Sequence, residues 1–204
     1  MFKVDVAVVG GGIAGGAMAT VLARAGLEVL LLEREVAYRD RVRGETMFPW
    51  GVAELQQIGL RDVLVDAGGG FATELFMYDE LYDPGTVKPI PLHAMVPGVA
   101  GALNVGHPQS CQALTAAAES AGAQVRRGVG DVVVQAGEAP ELTYELDGAS
   151  MEARPRLVIG ADGRSSVVRR QCGVALHETE AKTMLGGLLV AAGIGARPTS
   201  TSTV

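Results

Sequence analysis

A metal-ligand cysteine pattern, a long basic cluster and a membrane-length apolar run are all missing from this chain. Cys111 and Cys172 are its only cysteines. They have no metal-ligand spacing, so both read as reduced core cysteines and no metal site is expected. Net charge is −6, and no basic cluster exceeds the short Arg39–Arg43 run, which argues against nucleic acid as the main partner. No apolar stretch reaches the roughly 18 residues needed to span a bilayer. The first strand begins almost at the N-terminus, leaving no room for a signal peptide. The expectation is a soluble cytoplasmic chain with neither a membrane nor a nucleic-acid partner. No internal repeat is visible.

What is present suits a folded α/β domain. The 204 residues, 48% hydrophobic and 20% charged, are enough to bury a real core. Helical spacing runs from Ile13 to Ala25, with Gly26 as its stop. A polar, arginine-rich loop follows over 34–45. Pro49 then suits the first turn of a helix through Val52, Leu55 and Ile58, and a further short helix covers 60–67. Residues 73–82 and 86–92 read as two strands joined by the Asp83-Pro84-Gly85 turn. Gln109–Ala121 is alanine-rich and helical. Segments 124–127, 129–135 and 142–146, the last followed by an Asp147-Gly148 turn, read as short strands of a meander. Leu157–Ile159 returns as a buried strand, Ser165–Cys172 as a short helix, and 182–192 as one more strand. This parallel unit, interrupted by antiparallel strands and then resumed, departs from the regular alternation of a plain NAD domain.

Two motifs carry the chemistry. The apolar run Val6-Ala7-Val8-Val9 leads directly into Gly10-Gly11-Gly12-Ile13-Ala14-Gly15, a GxGxxG, and Glu33 closes the second apolar run, Val29–Leu32. The first glycine permits a tight turn, the second lets a pyrophosphate approach the backbone, and the third lets helix pack on strand. The helix N-terminus offers unpaired N–H groups and a positive dipole end, and Glu33 is placed to accept from a ribose diol. A 2′-phosphate would be repelled there, which disfavours NADP at this site. The second motif is Leu157-Val158-Ile159-Gly160-Ala161-Asp162-Gly163-Arg164-Ser165. Here an apolar strand delivers Asp162-Gly163 to its C-terminal end, and Ser165 is expected to cap the following helix.

Together these motifs resemble the FAD-dependent aromatic hydroxylases, the group A flavoprotein monooxygenases of the para-hydroxybenzoate hydroxylase type. The resemblance covers nearly all of 4–193. It implies an α/β, GR2-type Rossmann-like FAD-binding domain with inserted β-strands of a substrate domain and the C-terminal part missing. The implied FAD-binding domain is 1–180, interrupted by an insertion at about 71–106, and 181–204 holds the start of a substrate-domain sheet and a polar tail. Gly10, Gly12, Ile13, Ala14, Gly15, Glu33 and its neighbour Arg34 look like the pyrophosphate and ribose site. Asp162 and Gly163, with Ser165 and Arg169, look like the motif serving both FAD and the nicotinamide coenzyme. Arg43 matches the arginine loop near the flavin. His107 stands where the family places an arginine or glutamine, and Val129 where backbone groups meet the adenine.

The family's later Gly-Asp pair is absent, since Gly130-Asp131 lacks its context. Either the sequence is an N-terminal piece or another chain completes it. The implied reaction is hydroxylation of an aromatic or polyketide-like small molecule with FAD, NAD(P)H and O₂, the cofactor carrying the hard chemistry and no side chain acting as catalytic acid or base. The alternatives are a geranylgeranyl-reductase-like enzyme, a flavin-dependent halogenase, or a nucleotide-binding fragment without turnover. Of the remaining residues, Trp50 reads as packing at a helix start rather than a flavin stack. Met47 and Phe48 read as core.

Overall fold

The computed structural model describes residues 2–40, 45–77, 85–180 and 182. In chain order the elements are β1 (Phe2–Val9), α1 (Ile13–Arg24), β2 (Val29–Glu33), β3 (Thr46–Met47), α2 (Pro49–Gln57), α3 (Arg61–Asp66), β4 (Gly70–Ala72), β5 (Glu74–Leu75), β6 (Ile90–Pro91), a 3₁₀ turn Leu92–Ala94, β7 (Ala102–Asn104), α4 (His107–Ser120), β8 (Gln124–Arg127), β9 (Val132–Gln135), β10 (Glu141–Leu146), β11 (Ala149–Gly160) and α5 (Val167–Gln171). By packing they fall into two units, the described residues within 1–39 and 111–185, and residues 40–110. The insertion expected at about 71–106 falls inside the second.

The first unit is built on a six-stranded sheet of order β8-β2-β1-β11-β10-β9. β8, β2, β1 and β11 run parallel, while β10 and β9 are antiparallel. Two apolar cores follow from strand alternation. Val6, Val8, Val29 and Leu31 pack with Ala19 and Ala23 of α1 and Ala118 of α4. Ala7, Val9, Leu30 and Leu32 share the opposite core with Val134, Leu142, Tyr144, Ala153 and Val168. Every residue of β2 is buried, which is why its sequence is a continuous apolar run rather than an alternation. α1 and α4 approach closely at Gly16, where a Cβ would stand 2.9 Å from the Leu114 Cβ. Thr20 Oγ1 donates there to the Gly16 carbonyl at 2.7 Å.

Two readings of this sheet need correction. Gln124–Arg127 is not part of a meander: it pairs parallel with β2 on the far side of the sheet, delivered there by the α4 crossover. The meander is β9-β10-β11. Leu157–Ile159 is likewise not a separate short strand but the end of the twelve-residue β11. Residues 149–153 of that strand pair antiparallel with β10, and residues 153–160 pair parallel with β1. Glu152, Arg154 and Arg156 hide the strand's first half because only one of its faces is buried. Pro155 is tolerated because β10 pairing stops at Ala153, so no ladder bond is lost. The Asp147-Gly148 turn is as expected: φ is 52° and 75° at the two residues, the geometry of a two-residue type I′ hairpin.

In the second unit, α2 starts with Pro49 in its first turn, as read, and buries Val52 and Leu55. A three-stranded antiparallel sheet, β3-β7-β4, stands beside the two-stranded β5-β6. Among the described residues of the two strands expected over 73–82 and 86–92, only Glu74–Leu75 and Ile90–Pro91 pair, and Leu92 enters the 3₁₀ turn instead. Residues 78–84, and the strand read at 182–192 beyond residue 182, lie outside the described residues. The packing roles given to Trp50 and Phe48 are not what is found. Trp50 is 61% exposed and stacks on Phe48 with ring centroids 4.9 Å apart.

One core side chain carries a polar cost. Tyr144 is 1% exposed, and its hydroxyl has no hydrogen-bond partner. Burial raises its pKa, against the charge of the nearby Arg126 and a contact between that guanidinium and the hydroxyl; the contact falls outside normal hydrogen-bond geometry. Removing the hydroxyl should therefore cost little. Tyr144→Phe is expected to leave the urea unfolding free energy unchanged or raise it by about 1 kcal/mol; a clear loss of stability would show that the hydroxyl has a partner.

Candidate functional site

The glycine turn joins β1 to α1 under tight steric control. Gly10 adopts φ +103° and donates to the Leu32 carbonyl at 2.8 Å. A Cβ on it would lie 2.5 Å from the Ala161 carbonyl oxygen, so only glycine fits. Gly15 is equally constrained, since its Cβ would collide with the Gly10 carbonyl. Gly12 differs. It is the N-cap of α1 at an ordinary φ of −71°, no side chain caps the helix, and no acidic residue stands in its first turn. A Cβ at Gly12 would meet nothing within 4 Å. Glycine here preserves open space in front of a helix N-terminus, a cradle that suits an anion. Ala14 is exposed beside it, and Ile13 is half-buried.

Glu33, 8% exposed, ends β2 directly behind this turn. Its Oε2 accepts the Gly11 N–H at 2.6 Å and its Oε1 accepts the Glu35 N–H at 2.7 Å. A carboxylate offers about four lone-pair sites, so each oxygen keeps room for a ribose hydroxyl. Burial, and then the Glu33 charge, push the neighbouring Cys111 thiol up to about 11, against the Ile13 N–H and Arg127. The sulfur therefore stays neutral at neutral pH. The Ile13 N–H faces that sulfur, and the Gly12, Ala14 and Gly15 N–H groups share the first turn of α1, where no carbonyl of the preceding turn exists to take them.

Asp162 is a structural anchor. Its Oδ2 accepts the Val167 N–H at 2.6 Å and the Val168 N–H at 3.2 Å, and its Oδ1 accepts Ser166 Oγ at 2.5 Å. The cap of α5 is Ser166, which accepts the Arg169 N–H at 3.0 Å, not Ser165 as read. Gly163 takes φ +84° to make this turn. Gly160 lets α5 close on β11, since a Cβ there would stand 2.9 Å from the Val168 Cβ. The Arg169 guanidinium donates to the Val174 carbonyl at 3.1 Å.

Of the other expected residues, Arg34 and Val129 adjoin Glu33. Arg34 is exposed and pairs with Glu35 at 3.8 Å. Val129 is buried and donates its N–H to the Glu33 carbonyl at 3.1 Å, so its side chain serves the core. His107 opens α4, half-buried, in the second unit. Arg43 lies outside the described residues. Three residues at the turn were missed by the sequence reading: Tyr38, Thr115 and Arg127. Tyr38 Oη donates to the Gly11 carbonyl at 2.6 Å, and Thr115 Oγ1 lies 2.8 Å from Tyr38 Oη. The Arg127 guanidinium covers the Tyr38 ring at 4.6 Å. Thr115 had a signal in the sequence, being polar on the Cys111-Leu114-Ala118 face that α4 buries.

A parallel sheet, a glycine turn opening on a bare helix N-terminus and an acid at the end of β2 define a dinucleotide-binding α/β domain. A family described as FAD binding domain matches residues 3–198, and the chain belongs to that family, the one its two motifs resemble. Squalene monooxygenase SE2 of Panax ginseng is 40% identical over 75 residues, covering 36% of this chain and 14% of that protein. Among solved structures, the Diels–Alderase PyrE3 of pyrroindomycin biosynthesis superposes with a TM-score of 0.65 and 28% identity, over 83% of this chain and 34% of its own. The flavin-dependent monooxygenase PieE, solved with FAD and substrate, shares the fold, with a TM-score of 0.71 at 24% identity, over 87% of this chain and 33% of its own. The chain thus spans about a third of the length of these solved relatives. Among the described residues no helix is long and apolar enough to cross a membrane, and no cluster of potential metal ligands occurs.

Gly12→Ala should keep its unfolding free energy within about 1 kcal/mol of the parent and weaken FAD binding by about tenfold or more, as read by flavin fluorescence titration. Asp162→Ala should lower the unfolding free energy by about 1–3 kcal/mol, because three donors at the start of α5 lose their acceptor. Denaturant unfolding measures it, and an unchanged midpoint would remove Asp162 from that role.

Proposed function

We propose that this chain holds the adenosine diphosphate end of FAD for a monooxygenase that inserts oxygen into an aromatic or polyketide-like small molecule. The observation that carries the reading is the open space at Gly12 in front of an uncapped, acid-free helix N-terminus, with the Glu33 carboxylate set behind it. The Gly12, Ala14 and Gly15 amides would face the phosphates and Glu33 the ribose. FAD, when bound, supplies the electron transfer and oxygen activation. NAD(P)H is the reductant we assign. The exposed Phe48–Trp50 stack of the second unit supports an apolar, planar substrate. Two cysteines that remain thiols favour a cytoplasmic setting.

A second reading has one specific observation behind it. PyrE3, at 28% identity, is named for a Diels–Alder reaction rather than an oxidation, so FAD here could serve without net turnover of NAD(P)H. Desalting after incubation with FAD separates the site assignment from its rivals. FAD, with absorbance near about 450 nm, should travel with the protein, while FMN and riboflavin, which lack the adenosine end, should not. Equal retention of FMN would overturn the assignment. Oxygen-dependent NADH or NADPH oxidation by the FAD-loaded protein supports the monooxygenase reading, and its absence supports the second.

A further inference from the structure

We infer that Tyr38 and Thr115 are positioning residues that aim the Gly12 N–H at the diphosphate; the inference rests on the adenosine diphosphate site assigned above. Gly11 is held at both ends of its backbone. Its N–H is taken by Glu33 Oε2 at 2.6 Å, and its carbonyl accepts from Tyr38 Oη at 2.6 Å with Thr115 Oγ1 at 3.3 Å. A Cβ on Gly11 would come within 2.9 Å of both Glu33 Cβ and Tyr38 Oη, so the grip is close on every side.

Peptide planarity turns this grip into an aimed donor. In a trans peptide the C=O of one residue and the N–H of the next point in opposite directions, and no cis bond is present among the described residues. The Gly11 carbonyl points inward at two hydroxyls. The Gly12 N–H, on the far side of the same peptide plane, therefore points outward, where a Cβ at Gly12 would meet nothing. Without the hydroxyls, the glycine-rich turn could rotate this peptide at little cost.

The hydroxyls form a directed chain. A tyrosine hydroxyl carries one proton. With that proton on the Gly11 carbonyl, Tyr38 Oη can only accept across its 2.8 Å contact with Thr115 Oγ1, so the single threonine proton is shared between the tyrosine oxygen and, at the longer 3.3 Å, the Gly11 carbonyl. Such chains polarise and strengthen one another. Arg127 fixes the ring by covering its face at 4.6 Å and donating to the Val36 carbonyl at 3.3 Å. Burial, with the Glu33 charge adding to it, raises the Tyr38 pKa against Thr115 and Arg127, so the phenol keeps its proton at neutral pH.

The test compares Tyr38→Phe with the parent protein, using adenosine and ADP as probes. Glu33 is untouched, so adenosine affinity should change less than about twofold, while ADP affinity should fall about fivefold or more. Thr115→Val should show the same pattern at smaller size. In parent protein labelled with ¹⁵N-glycine, ADP should move the Gly12 amide resonance and adenosine should not. Equal losses for both probes, no loss for either, or an unmoved Gly12 resonance would each overturn the inference. A parent protein that binds neither ADP nor FAD would overturn the site assignment itself, and the inference with it.

Discussion

The hydrogen bond from the Gly11 N–H to the Glu33 carboxylate is the constraint on which the rest of the site depends. It ties the turn after β1 to the end of β2 across two parallel strands, at 2.6 Å between atoms 22 residues apart. A carboxylate buried to 8% exposure is costly without donors. Glu33 has two backbone donors, and a charge-assisted bond of this kind contributes about 1.5–3 kcal/mol. The same bond fixes where the Gly11 peptide lies, and so which backbone groups of the turn face inward. Selectivity at such a site comes from geometry, because the donors are backbone amides that every residue but proline possesses.

The glycines around that bond have separate reasons to be glycine. Gly10 and Gly15 are required by the fold, since the Ala161 and Gly10 carbonyls occupy the space of their missing side chains. Gly11 is required by Glu33 and Tyr38. Gly12 alone of the four, at an ordinary φ, is required by no contact among the described residues. A motif read as one functional unit thus divides into positions answering to packing and one position that packing leaves free.

The parallel half of the sheet and the site's backbone were legible because they rest on local signals: continuous apolar runs for strands buried on both faces, and glycines where backbones cross. β11 was half hidden because only one face of its first part is buried, and charged residues occupy the other. The path of residues 124–127 was misread because a strand's neighbours are set by the helix before it, not by its own composition. Tyr38 and Arg127 were invisible for a related reason. They reach the turn from the segment after β2 and from β8, and no spacing in the sequence records that these meet. Trp50 was misread because large aromatics are usually buried; here its ring finds Phe48 instead of a core.

The two acids of the glycine motifs differ in what the fold asks of them, and this bears on function. Both Asp162 oxygens are engaged by the start of α5, with three donors on two atoms. Each Glu33 oxygen has one backbone donor and capacity to spare. Of the two, Glu33 keeps an open site on each oxygen, while Asp162 keeps one, on Oδ1 beside its short bond to Ser166. A ligand hydroxyl there would crowd the cap of a five-residue helix. A cofactor contact through the backbone of the Asp162-Gly163 turn would disturb that cap least, and the end of β2 offers the carboxylate with more room.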